Sequence, residues 1–204
     1  MPSVPHSAAA DRNKQPILDV LRTLLPARGT ALEIAAGTGQ HAAWFAAALP
    51  GWTWQPTDAD PQILSTIAAW TSQDGLGNVR QPLLLDVLDA EWPSRGLPFA
   101  ERFDAIYCCN MLHIAPWATC AALMRGAARH LTPRGLLLTY GPYLEDGVAT
   151  APGNLDFDAS LRERNPAWGL RRREDVEAQA RQAGLALRAR HPMPANNLLL
   201  VFGF

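Results

Sequence analysis

A short segment around Gly37 constrains the fold of this chain more than any other part of the sequence. The apolar run 31–35 precedes Gly37-Thr38-Gly39, and an alanine-rich stretch, 40–49, follows it. This order is typical of a buried strand, a tight turn and a helix. Glycines let the backbone approach a ligand closely, and the free N–H groups that start a helix favour an anion. The turn also fits G-x-G-x-x-G/A, a pattern that several adenosine ligands share and that can be purely structural.

The rest of the chain repeats the alternation of strands and helices. Further strands are predicted at 52–55, 82–85, 103–109, 136–140, 186–190 and 198–202, and helices at 16–25, 60–70, 116–131 and 173–183. Such alternation predicts an α/β fold with a mostly parallel sheet that helices cover on both faces. The last two strands are joined by seven residues without a helix, so we expect them to pair antiparallel. The expected sheet therefore has seven strands.

The length of the chain predicts one domain. With 204 residues, we expect a single domain over 1–204. Within it, 1–27 form an N-terminal arm and helix, of which 1–12 are irregular, and 141–170 form a loop-rich cover over the substrate.

Composition limits which partners the protein is expected to bind and in which cellular compartment it is expected. The net charge of -1 argues against nucleic acid, and no apolar run reaches the roughly 18 residues of a membrane span. The N-terminus has no basic and apolar leader, so we expect no signal peptide. The three cysteines, Cys108, Cys109 and Cys120, are odd in number and are expected to be reduced thiols of a cytoplasmic protein. Their spacing relative to the histidines is not that of a metal site.

Three acids lie within or just after the carboxyl ends of the expected strands. Glu33 lies inside the first strand, Asp58 comes just after the second, 19 residues past Gly39, and Asp86 ends the third. A buried acid is costly unless something satisfies it, and Asp58 is placed to accept from ribose hydroxyls. Three acids at the carboxyl ends of successive strands suit adenosine with a cationic tail, as in S-adenosylmethionine, better than the pyrophosphate of NAD. Each acid alone is as consistent with a helix cap or a turn.

These acids, the glycine turn, Asn110 and the terminal strand pair resemble class I S-adenosylmethionine-dependent methyltransferases. More narrowly, the chain resembles the family that includes the animal methyltransferase-like protein 26. The matching segments are 9–13 (AADRN), 35–41 (AAGTGQH), 54–58 (WQPTD), 109–114 (CNMLHI), 140–143 (YGPY), 154–158 (NLDFD), 168–169 (WG) and 193–197 (MPANN). One departure is Ala36, where the family usually has serine.

The resemblance implies a three-layer Rossmann-like methyltransferase fold. It also implies S-adenosylmethionine as cofactor, S-adenosylhomocysteine as product, and in-line transfer of a methyl group to a small molecule. The expected cofactor contacts are Glu33, Ala35, Gly37, Gly39, His41, Asp58, Asp86, Val87 and Asn110. For His41, a capping or packing role is the alternative.

Candidate substrate residues come from the arm, from the ends of the fourth and fifth strands, and from two loops. They are Arg12, Asn13, His113, Tyr140, Tyr143, Asn154, Trp168, Asn196 and Asn197, with Phe157 and Asp158 beside Asn154. His113, Tyr140 and Asn110 are the catalytic candidates, with His113 as general base. The alternatives are a histidine that only orients its loop and a plain Asn196-Asn197 turn.

Arginine placement leaves the charge of the substrate open. Arg12 could clamp a carboxylate, although an arginine in an arm is usually a surface residue. Residues 159–190 hold eight arginines against four acids. Most of these arginines are expected on a solvated helix face, and an anionic substrate is the alternative.

Two further functions are kept open. An NAD(P)-dependent reductase fits the glycine turn, but the three acids and the lack of a Tyr-x-x-x-Lys pair disfavour it, since Lys14 is the only lysine. A non-catalytic protein that binds S-adenosylmethionine or S-adenosylhomocysteine as a regulator is consistent with the absence of an Asp/Asn-Pro-Pro-Tyr motif after the fourth strand.

Overall fold

The computed structural model describes residues 5–72 and 75–204. Its strands are β1 (Gly29–Ile34), β2 (Trp52–Asp58), β3 (Leu83–Leu84), β4 (Phe103–Cys109), β5 (Leu131–Leu144), β6 (Arg171–Arg172), β7 (Ala186–Met193) and β8 (Asn197–Gly203). Its helices are α1 (Ala8–Leu24), α2 (Gln40–Ala48), α3 (Leu64–Ser72), α4 (Ala118–His130), α5 (Pro152–Arg164) and α6 (Arg173–Gln182), and a short 3-10 turn, Pro194–Asn196, joins β7 to β8.

The strand order confirms the predicted fold. The main sheet runs β3-β2-β1-β4-β5-β8-β7, with parallel pairing from β3 to β5 and antiparallel pairing of β8 with both of its neighbours. These are the seven strands that the sequence predicts. The two-residue β6 is additional and pairs with the end of β5. β2 and β3 lie on one side of β1, and β4 and β5 lie on the other. The carboxyl ends of β1 and β4 therefore form the switch point at which α/β folds bind ligands.

Two apolar cores occupy the two faces of the sheet. On β1, Leu32 and Ile34 face the core that α4 and α6 cover, whereas Ala31 faces the core that α1 and α2 cover. This alternation is the two-residue period of a strand that is buried on both faces. The result is the expected three-layer arrangement of helices, sheet and helices.

The first helix starts earlier than the sequence indicates. Ser7 caps α1, with its Oγ accepting from the Ala10 N–H at 3.2 Å. The prediction had placed Pro16 in the first turn, because proline favours that position, and had left 1–12 irregular. The cap and the alanines that follow it start the helix at Ala8, so Pro16 lies inside it. Arg12 and Asn13 are therefore helical residues.

The segment 141–170 is not loop-rich throughout, since α5 occupies its centre. Pro152 provides the first turn of α5, and Leu161 is its one fully buried apolar residue. The apolar residues of α5 do not recur at helical spacing, which is why the helix is not visible in the sequence. The face that turns inward carries Asn154, Phe157, Leu161 and Arg164, at helical spacing but of mixed polarity.

Candidate functional site

The glycine turn adopts left-handed backbone at alternate positions. The φ angles are 54° at Ala35, 57° at Gly37 and 85° at Gly39, which directly precedes α2. A Cβ at Gly39 would lie 2.8 Å from the Cα of Ile67, so only glycine fits there. A Cβ at Gly37 would meet no atom within 4 Å. The turn is thus closely packed behind Gly39 and open in front of Gly37.

Asp58 fixes the turn from the end of the neighbouring strand. Its Oδ2 accepts from the Gly37 N–H at 2.9 Å, and its Oδ1 accepts from the Asp60 N–H at 3.0 Å. The carboxylate is half-buried. Each oxygen keeps a second lone pair, so Asp58 can hold the turn and still accept from a ligand hydroxyl.

Glu33 is buried beneath the turn. Its Oε2 accepts from the Trp54 indole N–H at 2.6 Å, and its side chain is not accessible from the turn's open side. Burial raises the pKa of Glu33 to about 8, and the nearby Asp58 charge acts in the same direction. Glu33 is therefore largely protonated at neutral pH.

The third acid belongs to the loop after β3. Asp86 Oδ1 accepts from the Leu88 N–H at 2.9 Å, and the Asp86 N–H donates to Ser94 Oγ at 2.7 Å. Both bonds hold the shape of this loop and leave the carboxylate half-exposed, while Val87 is buried. Because β1, β2 and β3 are neighbouring parallel strands, their ends bring Glu33, Asp58 and Asp86 to one edge of the sheet.

His41 lies in the first turn of α2, in a buried polar network. Its Nε2 donates to Asn13 Oδ1 at 2.7 Å, and its Nδ1 accepts from the Tyr107 hydroxyl at 3.2 Å. The ring also stacks on Phe45 at 5.2 Å between centroids. Burial lowers the pKa of His41 to about 4, so the imidazole is neutral. Both ring nitrogens are used inside the protein, and His41 joins α1 to the helix that follows the glycine turn.

Next to this network is a cavity of about 770 Å³. Its walls come from α1, α5, the loop after β4, the second half of β5, and the turn between β7 and β8. The lining residues are Ala9, Arg12, Asn13, Asn110, His113, Ile114, Tyr140, Pro142, Asn154, Phe157, Arg164, Pro194, Ala195 and Asn197. The structure thus brings together six of the nine expected substrate residues, namely Arg12, Asn13, His113, Tyr140, Asn154 and Asn197, with Asn110 and Phe157.

His113 is almost fully buried at the wall of the cavity. Its ring lies edge-on to Phe157 at 5.6 Å, and its nitrogens form no hydrogen bond with any residue that the structure describes. Burial, together with the positive charge of Arg171, lowers the pKa of His113 to about 4. The wall of the cavity therefore includes a neutral imidazole whose nitrogens have no described partner.

The backbone around His113 is held from the other side. Its carbonyl accepts from the Gly169 N–H at 2.9 Å. The Arg171 guanidinium donates to the carbonyls of Leu112 (2.9 Å) and Ala115 (2.6 Å), on either side of His113. The position of the ring is thus fixed through β6 and the segment before it.

Asn110 and Tyr140 complete this wall. Asn110 ends β4 with a φ of 58°, and its N–H donates to the Tyr140 carbonyl at 2.8 Å. Burial raises the pKa of Tyr140 to about 12, so the phenol is protonated at neutral pH and can donate. The two side chains and His113 are the three catalytic candidates, and all three line the same cavity.

Three expected substrate residues lie outside the cavity lining. Tyr143 is buried, and its hydroxyl donates to Thr139 Oγ1 at 2.9 Å. Trp168 packs under the Arg164 guanidinium at 5.6 Å. Asn196 has a φ of 56° and accepts from the Asn154 side chain at 3.1 Å, so it forms the turn and positions a residue that does line the cavity.

Sequence reasoning missed several lining residues, of which Arg164 is the chemically informative one. Arg164 is ten residues past Asn154, at helical spacing, but the signal is only readable once α5 is known. The others, Ala9, Ile114, Pro142, Pro194 and Ala195, carry no chemical signal of their own.

Within residues 5–72 and 75–204, no three His, Cys, Asp or Glu side chains form a group that could hold a metal ion. In the same part of the chain, no helix is long and apolar enough to cross a membrane.

Three solved structures with the same fold are named as methyltransferases. The chain is similar to CalO1, a methyltransferase in calicheamicin biosynthesis, in its SAH-bound form (TM-score 0.75, 17% identity), and to the mitomycin 7-O-methyltransferase MmcR (TM-score 0.79, 18% identity). It is also similar to an O-methyltransferase family protein from Burkholderia thailandensis (TM-score 0.77, 23% identity). Each comparison covers 96% of this chain but 55%, 55% and 57% of the respective neighbour, so the chain spans little more than half of their length.

One sequence-family model matches residues 4–203, which is almost the full chain. This match includes the glycine turn, the three acids and every lining residue of the cavity. The chain therefore belongs to the family described as protein of unknown function DUF938.

Proposed function

We propose that this protein is an S-adenosylmethionine-dependent methyltransferase that acts on a small molecule. The observation that carries the proposal is the junction of two sites. A glycine turn with three acids lies at the carboxyl ends of β1, β2 and β3, and the cavity with a neutral His113 adjoins it. Asn13 connects the two, because it lines the cavity and accepts from His41 in the first turn of α2.

The residues around the turn fit this cofactor. The open space in front of Gly37 admits a ligand against the backbone, and the start of α2 offers free N–H groups to a carboxylate. Asp58 retains lone pairs for ribose hydroxyls, and Asp86 is placed at the same edge of the sheet. A bound S-adenosylmethionine supplies a methyl group on a sulfonium, with a neutral leaving group.

The residues of the cavity position and activate the acceptor. His113 can take a proton from an acceptor hydroxyl, since its imidazole is neutral and its nitrogens have no described partner. Tyr140 can donate to the acceptor, and Asn110 offers an amide beside it. The enclosing walls of α1 and α5 exclude water and hold the acceptor in line, which is the main contribution a protein makes to such a transfer.

The finer parts of the proposal follow from the same site. Several neighbours are named as O-methyltransferases, which supports a hydroxyl as the acceptor atom. The role of 141–170 as a substrate cover is supported by α5, which lines the cavity. The segments quoted above support a relationship with the family of the animal methyltransferase-like protein 26, and three unpaired cysteines support a cytoplasmic location.

Calorimetric titration with S-adenosylmethionine, S-adenosylhomocysteine and NADH tests the proposal. We expect binding of the first two and none of NADH. Asp58→Asn removes the charge but keeps an acceptor for the turn, so the dissociation constant should rise about tenfold or more. Asp60→Asn, an exposed acid two residues away, is the matched control and should change little.

Two other results would redirect the proposal. Binding of NADH alone would favour a reductase. Binding of the adenosyl ligands, without methylation of any member of a broad panel of hydroxylated metabolites, would favour a regulator that senses the cofactor.

A further inference from the structure

The charge of the cavity is one-sided. Its lining contains two arginines, Arg12 from α1 and Arg164 from α5, and no aspartate or glutamate. The remaining polar groups are four asparagines, Tyr140 and the neutral His113. A concave surface lined by one sign of charge concentrates ligands of the opposite sign.

Neither arginine is used for an ion pair with a residue that the structure describes. Arg164 donates through Nε to the Ser160 carbonyl of its own helix at 3.3 Å and packs on the Trp168 ring. Arg12 has no hydrogen bond or ion pair within 5–72 and 75–204. Both side chains are exposed, so they reach the cavity from its solvent-facing side.

Neighbouring arginines behave differently. Those that point away from the cavity between 162 and 190 mostly meet carboxylates: Arg162 pairs with Asp158, Arg172 with Asp146, Arg173 with Glu145, Arg181 with Glu177 and Arg190 with Glu145. The excess of arginine in this stretch is therefore largely balanced on the surface. The two arginines that line the cavity are left without a carboxylate.

We propose that the methyl acceptor is a small, largely apolar molecule that carries an anionic oxygen group, a carboxylate or a phosphate ester, held by Arg12 and Arg164. That the bound anion is the methyl acceptor rests on the proposed function, whereas the anion site itself does not. Guanidinium groups bind both kinds of oxyanion through paired N–H donors. The same cavity is also lined by Phe157, Pro142 and Pro194, which offer apolar surface to the body of the ligand. The volume is that of a site for a small molecule.

Three probes with the same naphthalene body separate the effect of charge from that of the apolar ring. They are 1-naphthoate, 1-naphthyl phosphate and the neutral 1-naphthamide, and their binding is followed by naphthalene fluorescence, with and without saturating S-adenosylhomocysteine. We expect one or both anions to bind at least tenfold more tightly than the amide, and their binding to weaken as salt rises. The tighter of the two anions identifies the group as carboxylate or phosphate.

Matched variants assign the site. Arg12→Gln and Arg164→Gln should each weaken anion binding at least tenfold and leave amide binding unchanged. Arg22→Gln, on the exposed side of α1, and Arg188→Gln, on β7, remove the same charge outside the cavity and should have little effect. Circular dichroism and thermal unfolding confirm that all four variants are folded.

Several outcomes would overturn the inference. These are equal binding of the amide and the anions, no binding of any probe, and unchanged anion affinity in both cavity variants. Displacement of the anions by S-adenosylhomocysteine would assign the arginines to the cofactor carboxylate instead. If the anions bind as expected but the protein binds no adenosyl ligand, the anion site stands and the proposed methyl transfer fails.

Discussion

Glu33→Gln tests how the floor of the candidate cofactor site is built. Glu33 accepts from the Trp54 indole, and the carbonyl of a glutamine can accept the same bond. The substitution therefore removes an ionisable group and keeps the hydrogen bond and the volume. Burial raises the pKa of Glu33 to about 8, compared with 4.5 for an ordinary glutamate.

The raised pKa of Glu33 determines whether stability rises or falls with pH. Between pH 4.5 and 8 the folded protein holds a proton that the unfolded chain releases, so the contribution of Glu33 to stability is complete below pH 4.5 and is lost as pH rises. The slope approaches about 1.4 kcal/mol per pH unit. Between pH 5 and 7 the free energy of unfolding of the wild type should fall by roughly 2–3 kcal/mol relative to Glu33→Gln, which does not titrate.

Urea unfolding at pH 5, 6 and 7, followed by tryptophan fluorescence, measures this difference. Glu163→Gln, which removes an exposed carboxylate on α5, is the matched control. If the difference between the wild type and Glu33→Gln does not change with pH, Glu33 is ionised in the folded protein. The reasoning from burial would then be refuted.

The geometry gives expected outcomes for four further substitutions. His113→Gln should abolish most turnover and leave the affinity for S-adenosylmethionine unchanged; loss of cofactor affinity would indicate a structural role. The kcat/KM of the wild type should show no titration of His113 between pH 6 and 8, because the imidazole is already neutral in the free protein. Gly39→Ala should destabilise the fold by about 2 kcal/mol or more in thermal unfolding, since its Cβ would meet Ile67, whereas Gly37→Ala should cost about 1 kcal/mol and chiefly weaken cofactor binding. Leu161→Ala should cost about 2–5 kcal/mol and loosen α5, seen as faster amide exchange in that helix; unchanged exchange would show that another contact holds it.

The parts of the site that local chemistry determines were predictable from the sequence. Glycines between an apolar run and an alanine-rich stretch indicate a tight turn before a helix, and acids at strand ends lie together because parallel strands end at one edge. The seven strands and the antiparallel end of the sheet were also predictable from the patterns of their segments. For the strands and the glycine turn, the residue pattern within each segment is sufficient to predict the structure.

The features that the sequence does not reveal depend on contacts between distant segments. The interior face of α5 mixes Asn154 and Arg164 with Phe157 and Leu161, since it faces a polar cavity rather than a core, so it lacks the periodicity by which helices are recognised. For His41 the sequence left a cofactor contact and a capping or packing role open, because it does not show that Asn13, 28 residues earlier, and Tyr107, 66 residues later, take both its nitrogens. A histidine after a glycine turn gives no sign of which neighbours it will meet.

The two halves of the site have opposite charge, and this has a chemical consequence. Asp58 and Asp86 lie at the edge of the sheet beside the glycine turn, where a cationic ligand is expected, and two arginines line the cavity, where an anionic acceptor is proposed. An anion held by Arg12 and Arg164 would share the cavity with His113, and a negative charge nearby stabilises imidazolium. Acceptor binding would therefore raise the pKa of His113 from about 4 towards the ordinary range. The imidazole would become a stronger base only when a substrate is present to be deprotonated, which connects the charge of the acceptor directly to the chemistry of the transfer.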